Sequence, residues 1–171
     1  MVQQLAGIDT SKTYDPGTGG AYEFKNLPYS PGDVYWSADK SRAYRFCLMT
    51  VGAAVAGEML AFSTAGDLYT VIQGTTDAAA AGQAVVAIPQ DDYGWVQCEG
   101  RNVVALVTDG NIAIGNVCSL TTSGDIKPAT EAELVNDSVC GVALATDTGS
   151  ALAIGEFNIK CPTTPRGNFV A

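Results

Sequence analysis

From Arg45 onward the chain alternates short apolar runs with polar turns that carry glycine. RFCLMT (Arg45–Thr50), EMLAFS (Glu58–Ser63), LYTVIQ (Leu68–Gln73), QAVVAIP (Gln83–Pro89) and YGWVQCE (Tyr93–Glu99) are short, rich in β-branched or aromatic residues, and bounded by turn residues. That pattern predicts strands. Pro89 marks a strand end or an edge, and the alternation in Tyr93–Glu99 predicts a strand buried on one face only. A second series follows at Asn102–Thr108, Val117–Thr121, Ile126–Pro128, Val139–Ala145 and Ser150–Phe157. Gly74–Ala81 reads as a loop, its alanines too few for a stable helix. Ser37–Tyr44 and Ala129–Asn136 each read as either one helical turn or a loop.

The two series are copies. TVGAAVAGEMLAFSTAGDL at Thr50–Leu68 aligns without gaps on TDGNIAIGNVCSLTTSGDI at Thr108–Ile126, at an offset of 58 residues. Gly57 falls on Gly115, Gly52 on Gly110, and Gly66-Asp67 on Gly124-Asp125. Gly57, Gly66, Asp67, Gly110, Gly115, Gly124 and Asp125 are therefore the expected turn-defining residues, because glycine adopts φ > 0 without steric cost. Asp109-Gly110 is in addition a hairpin signal. The spacing predicts an all-β fold, a small β-sandwich or barrel built from two similar strand-turn modules, at about residues 44–100 and 101–160. Whether the halves share one barrel or form two packed sheets stays open.

Residues 1–43 break this pattern. Pro16, Pro28, Pro31 and the glycines at 17, 19 and 20 exclude a long helix, while Tyr14, Tyr22, Phe24, Tyr29, Tyr35 and Trp36 are too many aromatics for a solvated linker. The segment reads as an extended N-terminal arm that lays its rings either on its own domain or on a neighbour, and these six residues are the candidate interface. Residues 161–171 read as an extended C-terminal tail.

Composition narrows the chemistry. Apolar residues make up 47% of the chain and charged residues 16%, so it can build a core. The net charge is −9 with nine Lys and Arg in all, which argues against a nucleic-acid partner. No apolar run reaches the ~18 residues of a membrane helix. Five well-separated cysteines, Cys47, Cys98, Cys118, Cys140 and Cys161, with no CxxC pair and no signal-peptide pattern, predict reduced, buried thiols in a protein made in the cytoplasm. Histidine is absent, which removes the commonest general base and zinc ligand. Asp67, Asp91, Asp92, Asp125, Glu131 and Glu133 fall in predicted loops as solvated acids, and neither a carboxylate dyad nor an EF-hand pattern is formed. The reading is of a non-enzyme with no cofactor or metal. Trp95 reads as core or interface, with a ligand platform of Trp95, Tyr93 and Asp91 or Asp92 as the less favoured use.

Three stretches carry a resemblance: YGWVQCEG (Tyr93–Gly100), VALVTDGNIAIGNVCSLTTSGDI (Val104–Ile126) and CGVALATDTGSALAIGEF (Cys140–Phe157). Together they resemble the small capsid decoration, or cement, proteins of tailed bacteriophages. The likeness covers the second module and the strand before it, and the arm carries none of it. It implies a structural virion protein on the capsid exterior that binds the major capsid protein and stabilises contacts between its subunits, often as a trimer. It brings no catalytic residues. Other phage structural β-barrels, namely tail-tube, head-completion or fibre-base proteins, are the alternative, and a carbohydrate-binding module comes after them.

Overall fold

The computed structural model describes residues 8–17, 27–63, 68–75, 78–102, 111–135, 139–146 and 157–161. Its first strands are β1 (Val34–Trp36), β2 (Arg42–Val51), β3 (Met59–Phe62), β4 (Thr70–Gln73), β5 (Ala80–Ala84) and β6 (Tyr93–Asn102). The later ones are β7 (Val117–Leu120), β8 (Ile126–Pro128), β9 (Val139–Ala143) and β10 (Phe157–Lys160), with a 3-10 turn at Glu133–Val135. Neighbours in the sheet run β1-β2-β4-β3-β5-β6-β10-β9-β7-β8, and a further β2–β6 pairing closes β2-β4-β3-β5-β6 into a five-stranded barrel. The fold is all-β.

The doubling is visible in the hydrogen bonding. β3 pairs with β4 and β5, and β5 with β6, while β7 pairs with β8 and β9, and β9 with β10, all antiparallel. The register of β3 on β5 slips between Leu60 and Ala61, and that of β7 on β9 slips at the aligned pair Cys118 and Ser119. A bulge kept at the same place in both halves is a built feature. β6 joins the halves. Along one edge Val96 and Gln97 pair with β5, and beyond them Glu99–Asn102 pair with β10. The other edge of β6 pairs with β2 from Tyr93 to Gly100. The expected strand Asn102–Thr108 lies outside the described residues beyond Asn102, as does most of Ser150–Phe157.

Three apolar clusters result. Cys47, Met49, Leu60, Phe62, Val71, Ile88 and Val96 fill the barrel. Met59, Ala61 and Ala80, on the other face of β3 and β5, pack with Ile112, Cys118, Leu120, Ile126, Phe157 and Ile159 of the second half. Outside β2 and β6, Phe46, Leu48, Tyr93 and Trp95 form an aromatic cluster under Tyr14, Tyr29 and Tyr35.

Several boundaries differ from the sequence expectation. Arg42–Tyr44 belongs to β2, because Ala43 is buried against β6 and no helical turn forms. β5 occupies Ala80–Ala84, inside the stretch read partly as loop, and ends before Val85. Small residues are what the site admits, since a Cβ at Gly82 would come 2.3 Å from the Gln97 carbonyl oxygen. The chain then bends so that Ile88 bridges Ala54 and enters the barrel core. Tyr93–Cys98 is buried on both faces rather than one, with Val96 in the barrel and Tyr93 and Trp95 under the arm.

Candidate interaction surface

The turns that open β3 and β7 share one frame. Gly57 N–H donates to the Ala84 carbonyl (2.9 Å) and Gly115 N–H to the Ala143 carbonyl (2.8 Å). The amides of Ala84 and Ala143 return bonds to the carbonyls of Glu58 and Asn116, both at 2.9 Å. Glu58 Oε2 accepts from Val55 N–H and Asn116 Oδ1 from Ala113 N–H, each at 2.8 Å. Gly57 and Gly115 hold φ of 89° and 88°. Side chain, backbone and glycine thus fix the turn twice in the same way.

What these frames present is apolar. Val55, which opens the first turn, is 55% exposed, Ile114, at the tip of the second, is 67% exposed, and nearby Val51 is 64% exposed. Each turn exposes one large apolar side chain, at adjacent rather than equivalent positions, since Val55 falls on Ala113 and Ala56 on Ile114, and the core of a protein contact is depleted in charge in the same way.

Glu58 also ties the halves together. Its side chain is buried, and Oε1 accepts from Gln73 Nε2, whose second bond reaches the Ser123 carbonyl at 3.3 Å. Met59 N–H donates to the Gly124 carbonyl at 2.7 Å. Gly124 (φ 73°) lies so close that a Cβ there would sit 2.4 Å from Glu58 Cγ. Asp125 supplies the carbonyl that receives Thr121 N–H at 3.0 Å. Gly66, Asp67 and Gly110, expected to define the matching turns, lie outside the described residues.

The aromatic residues of the arm divide. Tyr29 packs edge-on to Trp95 (4.8 Å between ring centroids) and to Phe46 (5.5 Å), Tyr35 to Trp95 (5.3 Å), and Tyr14 to Phe46 (5.6 Å). Tyr14 also exchanges two backbone bonds with Tyr93, at 2.8 and 2.9 Å. These rings therefore lie on the arm's own barrel. Trp36 sits half-buried at the end of β1 opposite Ala43 and outside the cluster. Tyr22 and Phe24 lie outside the described residues. Trp95 and Tyr93 are fully covered, so neither offers a ring face to a ligand.

The polar chemistry is structural. All five cysteines are free and buried, and burial pushes Cys47 up to about 12 and Cys98 and Cys118 up to about 11, away from thiolate reactivity. Glu133 is held at about 2 by Lys127, whose Nζ lies 2.7 Å away, and by the Thr130 amide. Burial and the nearby charge of Asp15 raise Asp92, which accepts a bond from Thr13. Among the described residues no three His, Cys, Asp or Glu side chains gather closely enough to hold a metal.

Sequence reasoning picked out Gly57 and Gly115, and Val55 and Ile114 as apolar positions of the repeat, but passed over the acceptors Glu58 and Asn116 and the exposure of Val55 and Ile114. The signal was present, since a carboxylate and an amide, both good acceptors, occupy the aligned position after each matched glycine.

No protein-family model matches the chain, and no curated protein matches it. Among solved structures, it is similar to the N base of the head fiber gp8.5 of bacteriophage phi29, at 15% identity, over 72% of this chain and 97% of that one, with a TM-score of 0.48.

Proposed function

We propose that this protein is a structural component of a tailed-phage virion that binds the outer surface of the assembled capsid and stabilises contacts between major capsid subunits. The observation that carries this reading is the repeated turn frame that offers Val55 and Ile114 to solvent from a rigid, doubled body. The second of those frames falls in Val104–Ile126, one of the stretches that resemble decoration proteins. Two tips fixed to one sheet suit a subunit that spans a junction, because both contacts form without further loss of backbone freedom. The acidic balance of the chain favours a place away from packaged DNA.

The test is binding to capsids that lack the protein. Parent protein is expected to co-sediment with such shells and raise their melting temperature. Val55→Asp with Ile114→Asp should abolish both effects while leaving the circular dichroism spectrum unchanged. Undiminished binding by the double variant would remove the tips from the contact. Saturation at a number of copies matching one ring at a single vertex, rather than the number of capsid subunits, would favour the fibre-base or head-completion reading.

A further inference from the structure

β6 and β10 bring two of the five thiols face to face. The pairs Asn158–Arg101, Ile159–Gly100 and Lys160–Glu99 fix an antiparallel register, and the next step along it sets Cys161 opposite Cys98. The Cys161 amide donates to the Cys98 carbonyl at 3.0 Å, so the ladder reaches that step. Alternation gives the face. Asn158 and Lys160 are exposed, whereas Phe157, Ile159 and Cys161 are buried. Residues directly opposite in a sheet share a face, so Cys161 and the fully buried Cys98 lie side by side on the inner one.

Such a pair is within reach of a covalent bond. Opposite Cα atoms in an antiparallel pair lie about 4.5–5.5 Å apart, inside the roughly 4.4–6.8 Å found across disulfides. Opposite Cβ atoms lie about 4.5–5.5 Å apart, so closure draws them together by at most about 1 Å. In the reduced protein the two sulfurs lean apart, Cys98 Sγ to the Ala43 carbonyl (3.5 Å) and Cys161 Sγ to the Cys140 carbonyl (3.8 Å). A turn about χ1 in each frees them, at the loss of two weak S–H···O bonds. The remaining cysteines lack an opposite thiol in these ladders. Cys47 faces Gly94, Cys118 faces Gly141, and Cys140 falls at the slip between β7 and β9. Burial raises Cys98 to about 11 and raises Cys161 as well, with the Arg45 guanidinium acting against burial at both. Both thiols are therefore protonated at neutral pH and react slowly.

We propose that Cys98 and Cys161 form an oxidation site, joined by a small-molecule disulfide such as oxidised glutathione into a cross-strand bond that locks the second half of the molecule onto β6. Cys161, the less buried of the two, attacks first as its thiolate. The glutathione S–S bond breaks, and one glutathione leaves and takes up the proton. The Cys98 thiolate then attacks the Cys161 sulfur, and the second glutathione leaves as a thiol in the same way. Two cysteines are oxidised by two electrons in all, and one glutathione disulfide is reduced to two thiols. Everything from the end of β6 to the end of β10 then lies in one covalent loop. The bond is independent of which surface the protein binds, and its failure would leave the capsid reading untouched.

Oxidised glutathione added to the reduced full chain tests this. Intact mass should fall by two hydrogens, peptide mapping should find Cys98 joined to Cys161, and the melting temperature should rise by about 5–10 °C and return on reduction. Cys161→Ala, checked for parent-like circular dichroism, should show no such rise, while Cys47→Ala, Cys118→Ala and Cys140→Ala combined should keep it. Refolding the reduced parent from urea in a glutathione buffer removes any limit of access, and the same bond should form there. A folded parent that keeps Cys98 and Cys161 as thiols or as glutathione adducts after that refolding would overturn the proposal. A bond mapped between other cysteines, or a Cys98–Cys161 bond that leaves the melting temperature unchanged, would overturn it equally.

Discussion

Gly124 concentrates the residue-scale account. Its left-handed backbone and its closeness to Glu58 act together, whereas Gly52, at φ 69°, has nothing within 4 Å of an added Cβ. Gly124→Ala should therefore lower stability by about 3 kcal/mol, conformational strain plus overpacking, and Gly52→Ala by about 1 kcal/mol, strain alone. Chemical denaturation of the two variants side by side checks this, and equal losses would remove Glu58 from the explanation. Glu58 itself gives the complementary result. Glu58→Ala leaves the Val55 amide without its acceptor and Gln73 Nε2 with the longer bond to the Ser123 carbonyl, and should cost about 2 kcal/mol. Asn116→Ala, at a more exposed position, should cost about 1 kcal/mol by the same measurement. At this scale the sequence was readable where chemistry dictates geometry. Gly57, Gly115 and Gly124 stood out because few other residues take their backbone angles. Glu58 did not, since a lone acid in an apolar run shows its partners only once Gln73 and Ser123 are folded beside it.

At the scale of elements, strand existence was more legible than strand ends. β3, β7 and β8 fall where short β-rich runs meet glycine turns, so local signals suffice. β5 was displaced toward the alanines because its position is set by space between β3 and β6, which no local pattern reports. The burial of both faces of β6 was hidden for the same reason, as it depends on an arm more than fifty residues away in sequence. The segment from β8 to the 3-10 turn offers a pH test. Glu133, paired with Lys127, has a folded value of about 2, below the ordinary carboxylate value of about 4.3. Its stabilising effect is therefore present in full above about pH 4.3 and is lost as pH falls through about 2. Thermal melts between those limits should fall for the parent and be flatter for Glu133→Gln. Identical slopes would show that the ion pair does not hold this segment.

For the whole molecule, the arm and the doubled body behave as one unit. Tyr29 touches Tyr14, Tyr35, Phe46 and Trp95 and so fastens the arm to the barrel. Tyr29→Ala should destabilise by about 2–3 kcal/mol, less than for a fully buried aromatic because Tyr29 is half-buried. It should also make Trp95 newly accessible to a fluorescence quencher, with Trp36→Phe introduced to leave one reporting indole. A Trp95 as well shielded as before would mean that the arm's hold lies elsewhere. The sequence announced the arm through its prolines and aromatics, yet left open whose surface it covers, since Phe46, Tyr93 and Trp95 become one face only after β2 and β6 pair. The same limit applies to function. The repeat could be read from aligned glycines, but the exposure of Val55 and Ile114 belongs to the folded turn.

The most direct test of the central claim is a cryo-electron microscopy map of the particle that carries this protein. The account predicts all-β density on the outer shell across junctions between capsid subunits, with the Val55 and Ile114 tips at the contact. Density confined to the shell interior, or a contact made through another face with both tips in solvent, would contradict it.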